Sequence, residues 1–151
     1  MTANAGRGGF NVDTTRSLGY LLRDTSRRIL RRTTVLLEPH GITLPQYFAL
    51  RELWQTDGCT QRELANAVGI LEPTMVATID GLEAAGLVMR SRSREDRRKT
   101  HVLLTERGHA LRDVAHGVAA GVLGHALLDI SESEIALVRD VLQRMKANLD
   151  A

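Results

Sequence analysis

The chain has 151 residues, with 20 Lys and Arg against 18 Asp and Glu, which gives a net charge of +2. Its 43% hydrophobic and 25% charged residues are an ordinary globular composition, so collagen-like, coiled-coil and largely disordered chains are excluded. No apolar stretch approaches the roughly 20 residues of a membrane span, and the N-terminus has no apolar signal segment. We therefore expect one cytoplasmic domain, and the single Cys59 fits a reducing compartment.

Apolar periodicity and capping residues predict a mainly helical chain. Residues 1–12, rich in small polar residues and glycine, are predicted as a mobile tail. The predicted helices cover residues 14–37, 44–55, 60–68, 72–85 and 106–128, and a sixth opens at Ser131. Thr43 and Thr60 each begin a capping box, since Gln46 and Glu63 follow three residues later.

Two short strands with a basic loop between them are predicted after the fourth helix. They are residues 87–89 and 100–104, and residues 90–99 between them form the tip of a β-hairpin. Residues 87–99 carry six basic residues against two acidic ones, whereas residues 38–86 carry two against seven. The near-neutral total therefore hides a strongly basic hairpin beside acidic helices.

The helices over 60–68 and 72–85, separated by Gly69, have the lengths of a helix-turn-helix, whose second helix enters the DNA major groove. The predicted inward stripe of the second helix is Met75, Val76, Ile79 and Leu82. The predicted outward face is Thr74, Ala77, Thr78 and Gly81, small groups that suit close approach to base edges. Because this helix has no basic residue, its affinity for DNA must come from the adjacent hairpin.

Six segments stand in a fixed order: Leu44-Pro45-Gln46-Tyr47, Thr60-Gln61-Arg62-Glu63-Leu64-Ala65, Glu72-Pro73-Thr74, Leu82-Glu83-Ala84-Ala85-Gly86-Leu87-Val88, Arg94-Glu95-Asp96-Arg97-Arg98 and Leu104-Thr105-Glu106-Arg107-Gly108. In order and spacing they resemble the MarR family of winged helix-turn-helix repressors. The resemblance implies a winged helix-turn-helix core, mainly α with a small β-hairpin wing, flanked by N- and C-terminal dimerisation helices.

The resemblance also implies the roles of the DNA-binding residues. Arg98 would enter the minor groove, with Asp96 orienting it. Phosphate contacts are expected from Arg90, Arg92, Arg94 and Arg97 and from the start of the third helix, which comprises Thr60, Gln61 and Arg62. Pro73, Thr74, Ala77 and Thr78 would face the bases.

Residues 42–105 would then be the DNA-binding region, and residues 13–41 and 106–151 the dimerisation region. A symmetric dimer implies a pseudo-palindromic DNA operator. Members of this family bind small anionic or aromatic effectors beside the first two helices. The corresponding residues of this chain are Arg16, Tyr20, Arg23, His40, Tyr47, Phe48 and Arg51. Arginine and aromatic rings would suit an aromatic acid, although Tyr47 and Phe48 also fit core packing.

Other interpretations remain open from the sequence. An effector-independent architectural DNA-binding protein would differ only in lacking a ligand cavity. His109, Asp113 and His116 share a helix face with the spacing of metal ligands, but solvated histidines explain them more simply, so no metal or cofactor is expected. Cys59 would sense oxidants only if its pKa were lowered, and the first helix has no cysteine of the kind that peroxide-sensing family members use. No nucleophile elbow, phosphate-binding loop or His-Glu-x-x-His pair is present, which argues against an enzyme.

Overall fold

The computed structural model describes residues 17–92 and 99–150. In chain order the elements are α1 (Leu18–Leu37), a 3-10 turn (Glu38–His40), α2 (Leu44–Gln55), α3 (Gln61–Val68), α4 (Glu72–Ala84), β1 (Val88–Arg92), β2 (Thr100–Leu104), α5 (Glu106–Ala110), α6 (Arg112–Ala126) and α7 (Glu132–Asp150). The predicted fold, mainly helical with one small β-hairpin, is confirmed. In the described ranges no helix is both long and apolar enough to cross a membrane.

The predicted caps set the helix starts. The side chain of Gln46 accepts a hydrogen bond from the Thr43 N–H at 2.9 Å, and Glu63 accepts one from the Thr60 N–H at 2.7 Å. Both threonine hydroxyls accept the reciprocal backbone bonds, so both capping boxes are complete. Ser17 has extended backbone and caps α1 through the N–H of Tyr20, so α1 begins at Leu18; the predicted start at residue 14 lies outside the described residues.

The predicted helix over 106–128 is two helices in the structure. Thr105 caps α5, and the chain turns at Leu111 before α6 begins. Leu111 packs against the core at this turn. The periodicity of the apolar residues continues through Leu111, so the sequence pattern did not reveal the break.

The core lies where α2, α3 and α4 meet the hairpin and the end of α1. Its largest fully buried side chains are Leu37, Leu50, Leu53, Leu64, Met75, Ile79, Leu82, Val88 and Val102. The hairpin is antiparallel, with Val88 opposite Leu104 and Arg92 opposite Thr100. The first strand extends three residues past the predicted end at 89, which places Arg90 and Arg92 on the strand rather than in the loop.

Candidate nucleic-acid interface

The turn between α3 and α4 positions the start of α4 at the surface. Gly69 ends α3 with a positive φ of 77°, a conformation that glycine adopts without strain. Leu71 then has extended backbone and occupies the N-cap of α4, where its side chain makes no capping hydrogen bond. It is 77% exposed, the second most exposed of the large apolar residues in the described ranges. Leu71 is not among the predicted DNA-binding residues, although Pro73 in the first turn could have placed it at the start of the helix.

The exposed face of α4 differs from the predicted one at two positions. Thr74 and Ala77 are exposed, as predicted. Thr78 is only 9% exposed, and its hydroxyl donates to the carbonyl oxygen of Thr74 at 2.9 Å. The prediction that Thr78 faces outward is therefore wrong, because it lies three residues after Met75 and four before Leu82 and so shares their buried face.

Gly81 is not freely exposed either. A Cβ at this position would lie 2.7 Å from Nε2 of Gln46, so α2 approaches α4 closely there. The small and apolar side chains that the start of α4 exposes are consequently Pro73, Thr74 and Ala77, with Leu71 at its N-cap.

Arg90 on β1 is bound to three side chains on the two helices α3 and α4. Its Nη2 contacts Asp80 Oδ1 at 2.6 Å, its Nη1 contacts Glu83 Oε2 at 2.7 Å, and its Nε donates to Gln61 Oε1 at 2.8 Å. The side chain is 22% exposed. Burial would lower the pKa of Arg90, but the hydrogen bonds to the two carboxylates outweigh it and raise this pKa.

The expectation that Arg90 is available for a phosphate is not what the structure shows, because every guanidinium nitrogen already has a partner within the chain. The neighbouring Arg92, at the end of β1, and Lys99, just before β2, are exposed. Arg94, Asp96, Arg97 and Arg98, between β1 and β2 in the sequence, and Arg16 lie outside the described residues.

The start of α3 lies beside a surface cleft of about 550 Å³. The cleft is lined by Thr60, Gln61, Arg62, Glu63, Glu72, Lys99 and Thr100. The Arg62 side chain is 80% exposed and lies 3.9 Å from Glu72. Hydrogen bonds from the backbone and hydroxyl of Thr60 lower the pKa of Glu63, which keeps this capping carboxylate ionised. The structure thus brings the predicted residues Thr60, Gln61 and Arg62 together at the base of the hairpin.

The predicted effector residues fall into separate groups. Tyr47 is 5% exposed and packs against the rings of Phe48, Trp54 and His116, so it belongs to the core. The same burial raises its pKa.

The remaining aromatic residues of that set are paired with arginines. The Arg51 guanidinium lies 5.3 Å from the Phe48 ring centre, and that of Arg23 lies 5.8 Å from the Tyr20 ring centre. His40 lines a different cleft, of about 290 Å³, together with Arg107.

Cys59 and the histidines are held in the scaffold. The Cys59 thiol donates to the carbonyl oxygen of Thr56 at 3.0 Å, and its pKa is raised, first by burial and then by nearby carboxylates. His109 lies 3.7 Å from Asp57, and His116 packs on Trp54 with 5.0 Å between ring centres. Across residues 17–92 and 99–150, no three His, Cys, Asp or Glu side chains are grouped to hold a metal ion.

Comparison with known proteins identifies this arrangement. The chain is 33% identical over 107 residues to the organic hydroperoxide resistance transcriptional regulator of Bacillus subtilis, covering 71% of this chain and 73% of the relative. It is 30% identical over 128 residues to the HTH-type transcriptional repressor Mb2911 of Mycobacterium bovis, covering 85% and 92%.

The solved structures of CouR, from Rhodococcus jostii, are also similar. CouR bound to p-coumaroyl-CoA is 26% identical, with a TM-score of 0.79 and coverage of 89% of this chain and 95% of that chain. The repressor CouR bound to a 23-mer DNA duplex is 31% identical, with a TM-score of 0.76 and coverage of 93% and 96%. The family model of the MarR family matches residues 42–100, the segment that runs from α2 through α3, α4 and β1 to the first residue of β2. The chain therefore belongs to the MarR family of DNA-binding transcriptional regulators, with a winged helix fold, and is not an enzyme.

Proposed function

We propose that this regulator is a homodimeric repressor that reads a pseudo-palindromic operator and is released from it by a small anionic or aromatic ligand. The observation that carries the proposal is the pairing of two surfaces. The N-terminal half of α4 exposes small and apolar groups, and the hairpin beside it carries the densest basic segment of the chain.

In the proposed complex α4 lies in the major groove, where Leu71, Thr74 and Ala77 meet base edges and thymine methyl groups. The start of α3, with Thr60, Gln61 and Arg62, and the exposed Arg92 and Lys99 would bind phosphates. Arg94, Arg97 and Arg98 add charge to the wing, with Arg98 in the minor groove and Asp96 orienting it.

The proposed dimer is supported by exposed apolar side chains on the helices outside the DNA-binding region. None of the described residues of α7 is buried, although the helix has 19 residues. Exposed large apolar residues on and around α1, α6 and α7 are Leu18, Leu21, Val35, Leu36, Val114, Leu123, Leu128, Ile130, Leu137, Val138, Leu142 and Leu149. So much exposed apolar surface is typical of a subunit interface, so α1, α6 and α7 of two copies would pack together.

The effector part of the proposal is supported by two observations. CouR, a relative of similar fold, is seen with p-coumaroyl-CoA. This chain sets the exposed Arg51 over Phe48 and Arg23 over Tyr20, pairs that suit an aromatic ring with a negative charge. Tyr47 is too buried to contact a ligand directly without a rearrangement of the core.

The test is a DNA-binding titration with the DNA upstream of the protein's own gene. Arg98→Ala should weaken binding more than Arg139→Ala, an exposed arginine on α7 that serves as the control. Equal effects would contradict the wing assignment. Sedimentation should give a dimer at micromolar concentration, and a monomer would contradict the proposed symmetric complex.

The same titration tests the ligand. At least one compound in a panel of aromatic acids and their thioesters should lower the affinity of the protein for its operator. Arg51→Ala should reduce that response. Because a ligand changes affinity only by binding one conformation more tightly, an effective compound should also raise the melting temperature of the DNA-free protein. A panel without either effect would favour an effector-independent DNA-binding protein.

A further inference from the structure

The recognition helix carries a charge that opposes its proposed role. Helix α4 has three acidic residues, Glu72, Asp80 and Glu83, and no basic residue. Carboxylates close to DNA phosphates weaken binding by like-charge repulsion, so these side chains would be expected to lower affinity.

Two of the three acids are engaged with the hairpin. Separate guanidinium nitrogens of Arg90 donate to Asp80 at 2.6 Å and to Glu83 at 2.7 Å. The backbone N–H of Arg90 donates to the other Glu83 carboxylate oxygen at 3.1 Å. Its Nη2 also lies 3.3 Å from the carbonyl oxygen of Val76, and its Nε holds Gln61 at the start of α3. One side chain of β1 therefore connects the recognition helix, the start of α3 and the wing.

We infer that Arg90 is a positioning residue for DNA binding and that Asp80 and Glu83 are its anchors, so that two acids on the recognition helix increase affinity for DNA. The inference rests on the proposed interface. Because the wing and α4 contact different grooves, the complex needs their relative orientation fixed. The fork of the guanidinium can fix it because it binds two carboxylates in a defined plane, which a lysine ammonium cannot do.

The third acid provides a matched control on the same helix. Glu72 makes no contact with Arg90 and lies 3.9 Å from Arg62 in the first turn of α4. Its removal deletes one negative charge without loosening the hairpin. The side chains of Asp80, Glu83 and Glu72 are 61%, 43% and 51% exposed, so truncating any of them leaves no buried cavity.

The experiment compares operator affinities of full-length variants by fluorescence anisotropy at one salt concentration. The double variant Asp80→Ala/Glu83→Ala removes two negative charges, and it should nevertheless weaken binding about tenfold, the order of one lost charge-assisted hydrogen bond. Glu72→Ala removes one negative charge and the carboxylate beside Arg62, so it should raise affinity. Tighter binding by the double variant would overturn the inference, because repulsion alone would then describe these acids.

Two further variants separate geometry from charge. Arg90→Lys keeps the positive charge but not the fork, and it should weaken binding about as much as the double variant; wild-type affinity would overturn the inference. In an Arg90→Ala background, Asp80 and Glu83 have no guanidinium to bind and contribute only repulsion of the DNA phosphates. Asp80→Ala/Glu83→Ala should therefore strengthen DNA binding in that background. Continued weakening there would also contradict the account. Melting temperatures confirm folding of each variant, and wild-type protein that binds no operator would contradict the proposed function itself.

Discussion

The indole Nε1 of Trp54 donates a hydrogen bond to the carbonyl oxygen of Gly108 at 3.0 Å, which joins α2 to α5 across 54 positions of the chain. Gly108 in turn packs directly on the backbone of Leu87, just before β1. These contacts join the DNA-binding region to α5, the first of the C-terminal helices that we assign to the dimer.

Replacing Trp54 with phenylalanine should isolate the hydrogen bond. Phenylalanine keeps a ring against Tyr47 and His116, but the Gly108 carbonyl loses its indole donor. We expect the free energy of unfolding to fall by about 1 kcal/mol, the usual net value of one such bond, plus a contribution from the smaller ring. Urea denaturation measures it, and an unchanged midpoint and slope would contradict the importance of this contact.

Gly108→Ala should lower the free energy of unfolding, although it adds only one methyl group. A Cβ at residue 108 would clash with the carbonyl oxygen of Leu87 and lie 3.2 Å from Cδ2 of Leu104. The same Leu87 oxygen accepts the N–H of Thr105, so it cannot move without breaking that bond. We expect a loss of about 1–3 kcal/mol in thermal or urea unfolding.

Gly19→Ala is the matched control, since a Cβ there meets no atom within 4 Å. It should be neutral or slightly stabilising because alanine favours a helix. Similar losses in both variants would contradict the close packing at Gly108.

Contacts with thymine methyl groups should contribute to base recognition by Leu71. An operator in which deoxyuridine replaces thymidine lacks only those methyl groups, so wild-type protein should bind it less tightly. Leu71→Ala removes an exposed side chain that makes no capping bond, so folding should be retained while the preference for thymidine shrinks. An undiminished preference in the variant would assign methyl recognition to other residues of α4.

Cys59 should be a slow nucleophile. Its raised pKa means that at neutral pH the folded protein holds less thiolate than an ordinary cysteine, and the fraction rises only as the pH increases toward this pKa. Alkylation by iodoacetamide at pH 7.5 should therefore be slower for the folded than for the urea-unfolded protein. Organic hydroperoxide should leave DNA binding unchanged, despite the similarity to the Bacillus subtilis regulator. Rapid alkylation of the folded protein, with loss of DNA binding, would contradict this prediction and indicate a redox role for Cys59.

Local signals predicted the starts of α2 and α3 well because capping is local chemistry. Thr43 and Thr60 could be identified from residues three positions away, and Gly69 marked the end of α3 from its own conformational preference. The break at Leu111 depends instead on what packs against it. Thr78 lies on the face that Met75 and Leu82 share, so helical spacing could have indicated its burial, and its hydroxyl donates to the Thr74 carbonyl.

The role of Arg90 shows the same limit for the candidate site. A count of basic residues groups it with Arg92, but only the strand pairing and the approach of α4 reveal that carboxylates seven and ten residues earlier in the chain bind it. Charge patterning predicted where the basic surface lies. It could not separate arginines that bind within the chain from those that remain exposed.

Hydroxyl-radical footprinting of the wild-type protein on its own upstream DNA tests the central claim most directly. A dimer with two recognition helices should protect two symmetry-related patches whose centres lie about one helical turn, roughly 10 base pairs, apart. Each patch should weaken when Arg98 is replaced by alanine. A single unpaired patch, or uniform protection without sequence preference, would contradict the account of a symmetric operator-binding dimer.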